Sequence, residues 1–405
     1  MAPTKKELVL AVLVMLLILL SLEVALRIAG VGFDAQLYGP SRELGWTLRP
    51  SAEGLVSIET SQYVKINSRG FHDVERAYEK PATTFRVAVL GNSWTEALQV
   101  PLEKTYCSVL ERKLAERSCF ANKRVEVLNF GVAGYSTAQE LLTLREKVWK
   151  YNPDLVILAL YAARDIANNV RELNNAVDPE RSPYFVYSEG NLVLDDSFQR
   201  LPALQPWQIA LQDLGYVLNR QLRVLQAVNA AQRLGKMRVA MADEKARAEE
   251  WGVEKLEYSI YKVPRVRKME MAWRVTEDLL LAMRDEVKAH GAEFRVAILA
   301  TRPQVIPDPQ RRAELAQKVG VKDFAYADER LNEFARSQGI TMTTLAPALS
   351  SYAETHKVYL NGFNSSSLGA GHWNETGHRI VAETIARDLC GESSNSASST
   401  EDAKR

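Results

Sequence analysis

The stretch VAVLGNSWTEA, residues 87–97, decides how the chain is read. Val87 to Leu90 form an apolar run without alternation, the pattern of a strand buried on both faces. The run stops at Gly91, Asn92 and Ser93, so a strand beginning near Phe85 hands a small polar residue to whatever follows. Two roles suit Ser93. It caps a short helix, with Glu96 three residues on completing a capping box, or its hydroxyl stands free as a nucleophile at the end of a strand.

Working outward, the same alternation recurs. RVEVLNFG (124–131), DLVILALY (154–161), FRVAILA (294–300) and ITMTTL (340–345) read as strands. Between them TYCSVLERKLAER (105–117), TAQELLTLREKVWKY (137–151) and residues 269–290 carry apolar side chains at helical spacing, and a last helix starts near Asn374. Strands alternating with helices predict a parallel sheet covered on both faces. Ligands in such sheets bind where strands end. The informative segments are therefore Asn92–Ser93, Asn129 to Thr137, Tyr161 to Asn169, and GAGHWN with His372.

Ahead of this pattern, residues 33–81 are rich in turn formers, with one strand-like piece, YVKINSRGF, and read as a neck packed against the main domain. Residues 203–260 read as a helical insertion. Its stripe of Leu211, Leu214, Leu218, Leu222 and Leu225 calls for burial, and is expected beside the sheet's carboxyl edge. The fifteen residues from Gly391 read as a disordered tail.

At the N-terminus, Leu8 to Leu22 is apolar except for Ser21, and Lys5 and Lys6 precede it. Continued to Val31, the run makes a helix of about 36 Å, enough to cross a bilayer. Glu23 and Arg27 are spaced to pair on one helix face. The reading is an uncleaved signal anchor over residues 1–32, with the chain beyond it outside the cytoplasm of a single-pass inner-membrane protein.

The 405 residues carry a formal charge of +1, which gives nucleic acid no electrostatic hold. With 46% hydrophobic residues the chain can bury a sizeable core. Cys107, Cys119 and Cys390 form no zinc spacing; Cys107 and Cys119 lie about 18 Å apart on a continuous helix, so the cysteines say little about redox compartment. No P-loop occurs, and nothing calls for a cofactor or metal. Of the histidines, His72 lies in the neck, His290 ends a helix, His356 sits in a polar stretch, and His378 follows His372 at a spacing unsuited to a helical metal pair.

Taken in order, EVALRIAG, INSRGFHD, VAVLGNSWTEALQV, VLNFGVAGYSTAQE, PDLVILALYAARDIANN and GAGHWNETGHRIVAE resemble the SGNH/GDSL hydrolase superfamily, and more closely its membrane-anchored bacterial members. The resemblance implies a three-layer α/β/α, flavodoxin-like domain over residues 82–390. It implies Ser93 as nucleophile and His372 as base, with the N–H groups of Ser93 and Gly134 in the oxyanion hole. The chain departs from the family at three places. Asn92 replaces the aspartate of Gly-Asp-Ser. Arg164 stands where an asparagine donor is usual, and its guanidinium is a candidate for the same role. Gly369 and Ala370 fill the place of the acid that orients the histidine, so a backbone carbonyl is expected to hold the imidazole, with Asp165 and Glu375 as alternatives. Trp94 and Trp373 flank the two catalytic candidates and either stack on a sugar ring, lining the substrate, or pack in the core. The implied activity is hydrolysis or transfer of O-acyl esters, such as O-acetyl groups of a surface or exported polysaccharide. The alternative is a non-catalytic domain that binds glycan or a protein partner.

Overall fold

A computed structural model describes residues 4–57, 59–120, 123–174, 178–250, 256–364 and 368–391. The chain opens with helix α1 (Lys5–Ile28), followed by two hairpins, β1 (Tyr38–Ser41) with β2 (Gly45–Leu48) and β3 (Glu53–Val56) with β4 (Gln62–Lys65). Then come β5 (Thr84–Gly91), α2 (Ser93–Glu96), α3 (Tyr106–Arg117), β6 (Arg124–Gly131), α4 (Thr137–Glu146), β7 (Leu155–Leu160) and α5 (Ala162–Asn168). A third hairpin, β8 (Tyr184–Ser188) with β9 (Asn191–Asp195), leads to α6 (Pro206–Gln221) and α7 (Arg223–Glu250). The chain closes with α8 (Arg267–Ala289), β10 (Glu293–Ile298), α9 (Pro309–Val319), α10 (Tyr326–Gln338), β11 (Thr341–Thr344), α11 (Ala346–His356) and α12 (Glu375–Leu389).

The five strands read from the apolar runs form one sheet in the order β11-β10-β7-β5-β6. Every pairing in it is parallel. The chain steps from β5 to β6 on one side and then reverses to β7, β10 and β11 on the other. With right-handed crossovers this reversal places helices on both faces. Accordingly α3 packs against α12, while α4 and α5 pack against α8. The fold is the expected α/β arrangement, and its switch point falls beside β5, with Gly91 level with Gly131 on one side and Ala159 on the other.

Two features differ from the expectations. Cys119, just past α3, forms a disulfide with Cys390 at the end of α12, across a sequence separation of 271. Spacing along a helix excludes only local partners, whereas this pair meets because α3 and α12 lie side by side. A cross-link closing so long a loop contributes about 2–5 kcal/mol. The leucine stripe of the insertion is the second correction. Leu211, Leu214, Leu218 and Leu222 are exposed; α6 packs on β1 and α7 on α1, so the insertion borders the neck and the N-terminal helix. Residues 251–255 of the insertion, and the expected tail beyond Gly391, lie outside the described residues.

Helix α1 is long and apolar enough to cross a membrane and is essentially uncovered by the rest of the protein. Its Arg27 Nε donates to Glu23 Oε1 at 2.7 Å, the pair expected from their spacing.

Candidate active site

Strand β5 is buried to its last residue, and Gly91 is glycine for a steric reason. A Cβ there would lie 2.0 Å from Thr95 Oγ1, and one at Gly131 would lie 2.3 Å from the backbone N of Glu96. These two strand ends let the single turn of α2 sit down on the sheet. The cap of that turn is Asn92, whose Oδ1 accepts from Trp94 N at 3.1 Å. Ser93 is thereby relieved of the capping role and occupies the first helical position, half-buried.

His372 reaches Ser93 from the far end of the chain, its Nε2 2.8 Å from Ser93 Oγ. The loop before α12 is clamped by backbone bonds, Gly362 N to His372 O and Asn374 N to Leu360 O, each 2.9 Å. Asn374 caps α12 through its side chain.

The other ring nitrogen corrects the sequence expectation. Nδ1 of His372 lies 2.8 Å from Glu59 Oε1, and Glu59 Oε2 accepts the His372 backbone N–H at 2.8 Å. A carboxylate therefore holds the imidazole, where a backbone carbonyl was expected. It comes from the neck, beyond β3 and 313 residues from the histidine. Neither sequence alternative serves: Glu375 lies against Lys104 on the surface, and Asp165 bonds elsewhere. Burial opposes ionisation of Glu59, but hydrogen bonds from the His372 ring and N–H, with the charges of His372 and Arg302, hold its carboxyl below the usual range. Room for it is made at Gly371, where a Cβ would lie 2.3 Å from Glu59 Oε2. Glu59 itself adopts φ 65°, a conformation that costs a non-glycine residue of order 1 kcal/mol.

Of the two readings open for the tryptophans, burial selects core packing. Trp373 is fully buried and Trp94 nearly so, so neither offers a face to a sugar. Trp94 instead packs on His372, with ring centroids 4.9 Å apart, and on Trp373 and Tyr161, each at 4.8 Å. This packing restricts the imidazole to the plane that serves Ser93. Their proximity to the two site residues is real, but the side chains point into the core.

Asn92 and Asp165 do meet. Asn92 Nδ2 donates to Asp165 Oδ1 at 2.8 Å, and Asp165 Oδ2 accepts from Tyr161 N at 2.6 Å, tying the end of β5 to the end of β7. Burial pushes the Asp165 carboxyl upward. Replacing the amide by Asn92→Asp would set two carboxyls at hydrogen-bond distance and remove a donor. We expect a loss of about 1–3 kcal/mol that the exchanged pair Asn92→Asp with Asp165→Asn largely recovers, read from thermal melts. An unchanged melting temperature in the single variant would contradict this pairing.

Gly134 sits exposed at φ 81° between β6 and α4, beside the Trp46 ring. That loop is pinned by the neck: Trp46 Nε1 donates to Ala133 O at 2.9 Å and Tyr135 Oη to Trp46 O at 2.6 Å. Arg164 is half-buried in the first turn of α5, after β7. The neck also grips α2. Tyr38 Oη donates to the buried Glu96 carboxyl at 2.8–2.9 Å, and His72 Nδ1 lies 2.7 Å from Glu96 O. His378, the near neighbour in sequence, is buried in α12 with Nδ1 accepting from Tyr106 N.

Burial raises Glu96 to about 8, against hydrogen bonds from Tyr38 and the Ala133 N–H, and Asp328 to about 7, against one from Gln304. Between the ordinary carboxyl range and those values the folded state holds protons that the unfolded chain has released. Stability must therefore fall as pH rises. Buried neutral His72 and His378 act in the opposite sense, but only below the ordinary imidazole value near 6.5. The expected result is a Tm that drops between about pH 6.5 and 8, as stability falls by at most about 1.4 kcal/mol per pH unit for each group. Glu96→Gln should flatten that slope in calorimetry, and a wild-type Tm rising over this range would refute the assignment.

No protein-family model matches the sequence, and no curated protein matches it. Among solved structures, a lipase/acylhydrolase from Enterococcus faecalis is 13% identical with a TM-score of 0.35, covering 76% of this chain and 96% of its own. An acetyl xylan esterase is 11% identical with a TM-score of 0.35, covering 74% and 98%. A catalytic mutant of an acetylxylan esterase from Geobacillus stearothermophilus is 10% identical with a TM-score of 0.37, covering 75% and 94%. By their names these neighbours are ester hydrolases. At such identities and scores, what this chain does has to be read from its own side chains.

Proposed function

We propose that this protein is a membrane-tethered serine esterase or acyltransferase whose triad is Ser93, His372 and Glu59. The observation that carries the reading is the unbroken line from Glu59 Oε1 to His372 Nδ1 and from His372 Nε2 to Ser93 Oγ, each link 2.8 Å. Ser93 Oγ attacks the acyl carbon while its proton passes to Nε2, and ionised Glu59 stabilises the imidazolium. The Ser93 and Gly134 N–H groups and the Arg164 guanidinium take the oxyanion's charge. Collapse expels the alcohol, which leaves with the proton from Nε2, and water or an acceptor hydroxyl releases the acyl group by the same route. The non-catalytic alternative rested on the replaced oxyanion donor at Arg164 and on the missing acid, and Glu59 answers the second of these.

The tether is α1, with residues 1–32 as anchor, 33–81 as a neck that contributes Glu59, and 82–390 as the catalytic domain. The Cys119–Cys390 disulfide supports an oxidising compartment for that domain. For the substrate, the resemblance read in the sequence favours small O-acyl groups, such as O-acetyl on a surface or exported polysaccharide. The test is an alkyl fluorophosphonate on the detergent-solubilised full chain. A covalent adduct mapped to Ser93 by mass spectrometry, lost after Glu59→Gln or acid treatment, is expected; absence of any adduct at Ser93 in the wild type would overturn the reading.

A further inference from the structure

Helix α6 is built inside out. Four of its side chains tie it to the protein: Gln212 Nε2 donates to Ala203 O at 2.7 Å, Asp213, itself half exposed, pairs with Arg49, the Arg49 guanidinium covers the Tyr216 ring at 4.4 Å, and Asn219 is buried. Its apolar side chains face outward. Trp207, Leu211, Leu214, Val217 and Leu218 are between 47% and 60% exposed, and Leu222 continues the stripe at 40%. At 100° per residue these positions share one face, over a length of about 24 Å. Water is a poor medium for such a row of side chains, because each would gain by leaving it.

What covers the stripe is indicated by where it ends. Arg27, in the last turn of α1, donates to Gln221 O at 2.5 Å, and Glu23 Oε2 accepts from Val224 N at 3.0 Å. The C-terminus of α6 is thus hydrogen-bonded to the point where α1 stops being apolar. Whatever medium surrounds the uncovered α1 begins one hydrogen bond from the leucines. We propose that α6 lies in the surface of the bilayer that α1 crosses, with its leucine face sunk to the level of the headgroup–acyl boundary and Trp207 at its far end. The inference rests on α1 being a membrane span and adds a second, independent contact. That contact passes into the site through the neck: α6 holds Arg49, Arg49 Nε donates to Tyr38 O at 3.0 Å, and Tyr38 Oη binds Glu96 in the nucleophile's helix. The catalytic domain is then held down on the membrane in one orientation, which suits a substrate presented at that surface.

The test uses the full chain in vesicles of phosphatidylcholine and phosphatidylglycerol, with single variants Leu211→Cys, Leu214→Cys and Leu218→Cys carrying an environment-sensitive fluorophore. Labelling is done without reductant, so that the native disulfide stays closed; Cys107 is buried. Leu16→Cys in α1 and Lys322→Cys, 96% exposed in the wild type, serve as references. With lipids brominated high in the acyl chain, the three α6 probes should lose about half or more of their emission and the Lys322 position none, while lipids brominated near the chain terminus are used to quench Leu16 at the middle of α1. If Leu16 is quenched while the α6 probes are unquenched, the α6 proposal fails and the anchor stands; blue-shifted, unquenched emission would identify a protein cover instead. If Leu16 is unquenched, the span reading fails, and quenching at α6 would still support its contact with lipid.

Discussion

Ser93→Ala should lower kcat/KM for a chromogenic acetyl ester by about 10⁴-fold or more, to a residue of catalysis supplied by oxyanion donors and substrate binding alone. The expectation follows from what the hydroxyl does and from what it does not do. Ser93 Oγ meets His372 Nε2, but the cap of α2 is Asn92, so removing the hydroxyl leaves the turn intact. The variant should therefore melt within about 1 kcal/mol of the wild type, the range of surface substitutions away from structural features. Activity and stability separate cleanly at this position. Retention of activity within tenfold would show that another group attacks the ester, and the triad assignment would fall.

Glu59→Gln should lower kcat by about 10³–10⁴-fold with little change in KM, because Glu59 acts on Ser93 through the His372 ring. The amide has the same size and can keep one hydrogen bond to the ring. It cannot stabilise the imidazolium, and when its NH₂ group donates to Nδ1 the ring proton is forced onto Nε2, where the base must be empty. A double variant with Ser93→Ala should be no worse than Ser93→Ala alone, because the two act as one unit. Glu59→Asp distinguishes charge from reach. It keeps the charge but shortens the arm by one methylene, so activity should fall between wild type and Glu59→Gln. Steady-state kinetics on an acetyl ester check all three, and equal activity in Glu59→Gln and wild type would remove Glu59 from the triad and leave His372 to act without it.

These two predictions mark the boundary between local and tertiary information. The strands lay in unbroken apolar runs, and their ends exposed Ser93 and the loop of His372. The pairs Gly91 with Asn92 and Asn374 with Glu375 likewise announced the turns that position the two side chains. Period and turn chemistry are properties of neighbours in the chain, so they survive without a structure. Glu59 left no such trace. It sits in a short polar segment between the strands of a hairpin, and its meaning depends on a loop 313 residues away and on the space left by Gly371.

The same division holds elsewhere in the molecule. Cys119 and Cys390 are unremarkable in spacing, and only the packing of α3 beside α12 joins them. Trp94 and Trp373 were legible as neighbours of the site, but burial decides that Trp94 packs on the imidazole and Trp373 packs behind Trp94. For α6 the sequence by itself established an amphipathic helix, since spacing alone determines which side chains share a face. Which of the two faces meets the protein is decided by docking: here Arg49, just past β2, takes Asp213 and Tyr216, while the end of α1 bonds the backbone where α6 passes into α7. Side-chain periodicity is set within a few residues, whereas the medium that each side chain meets, and the charge placed behind a histidine, are set by segments that approach only when the whole chain has folded.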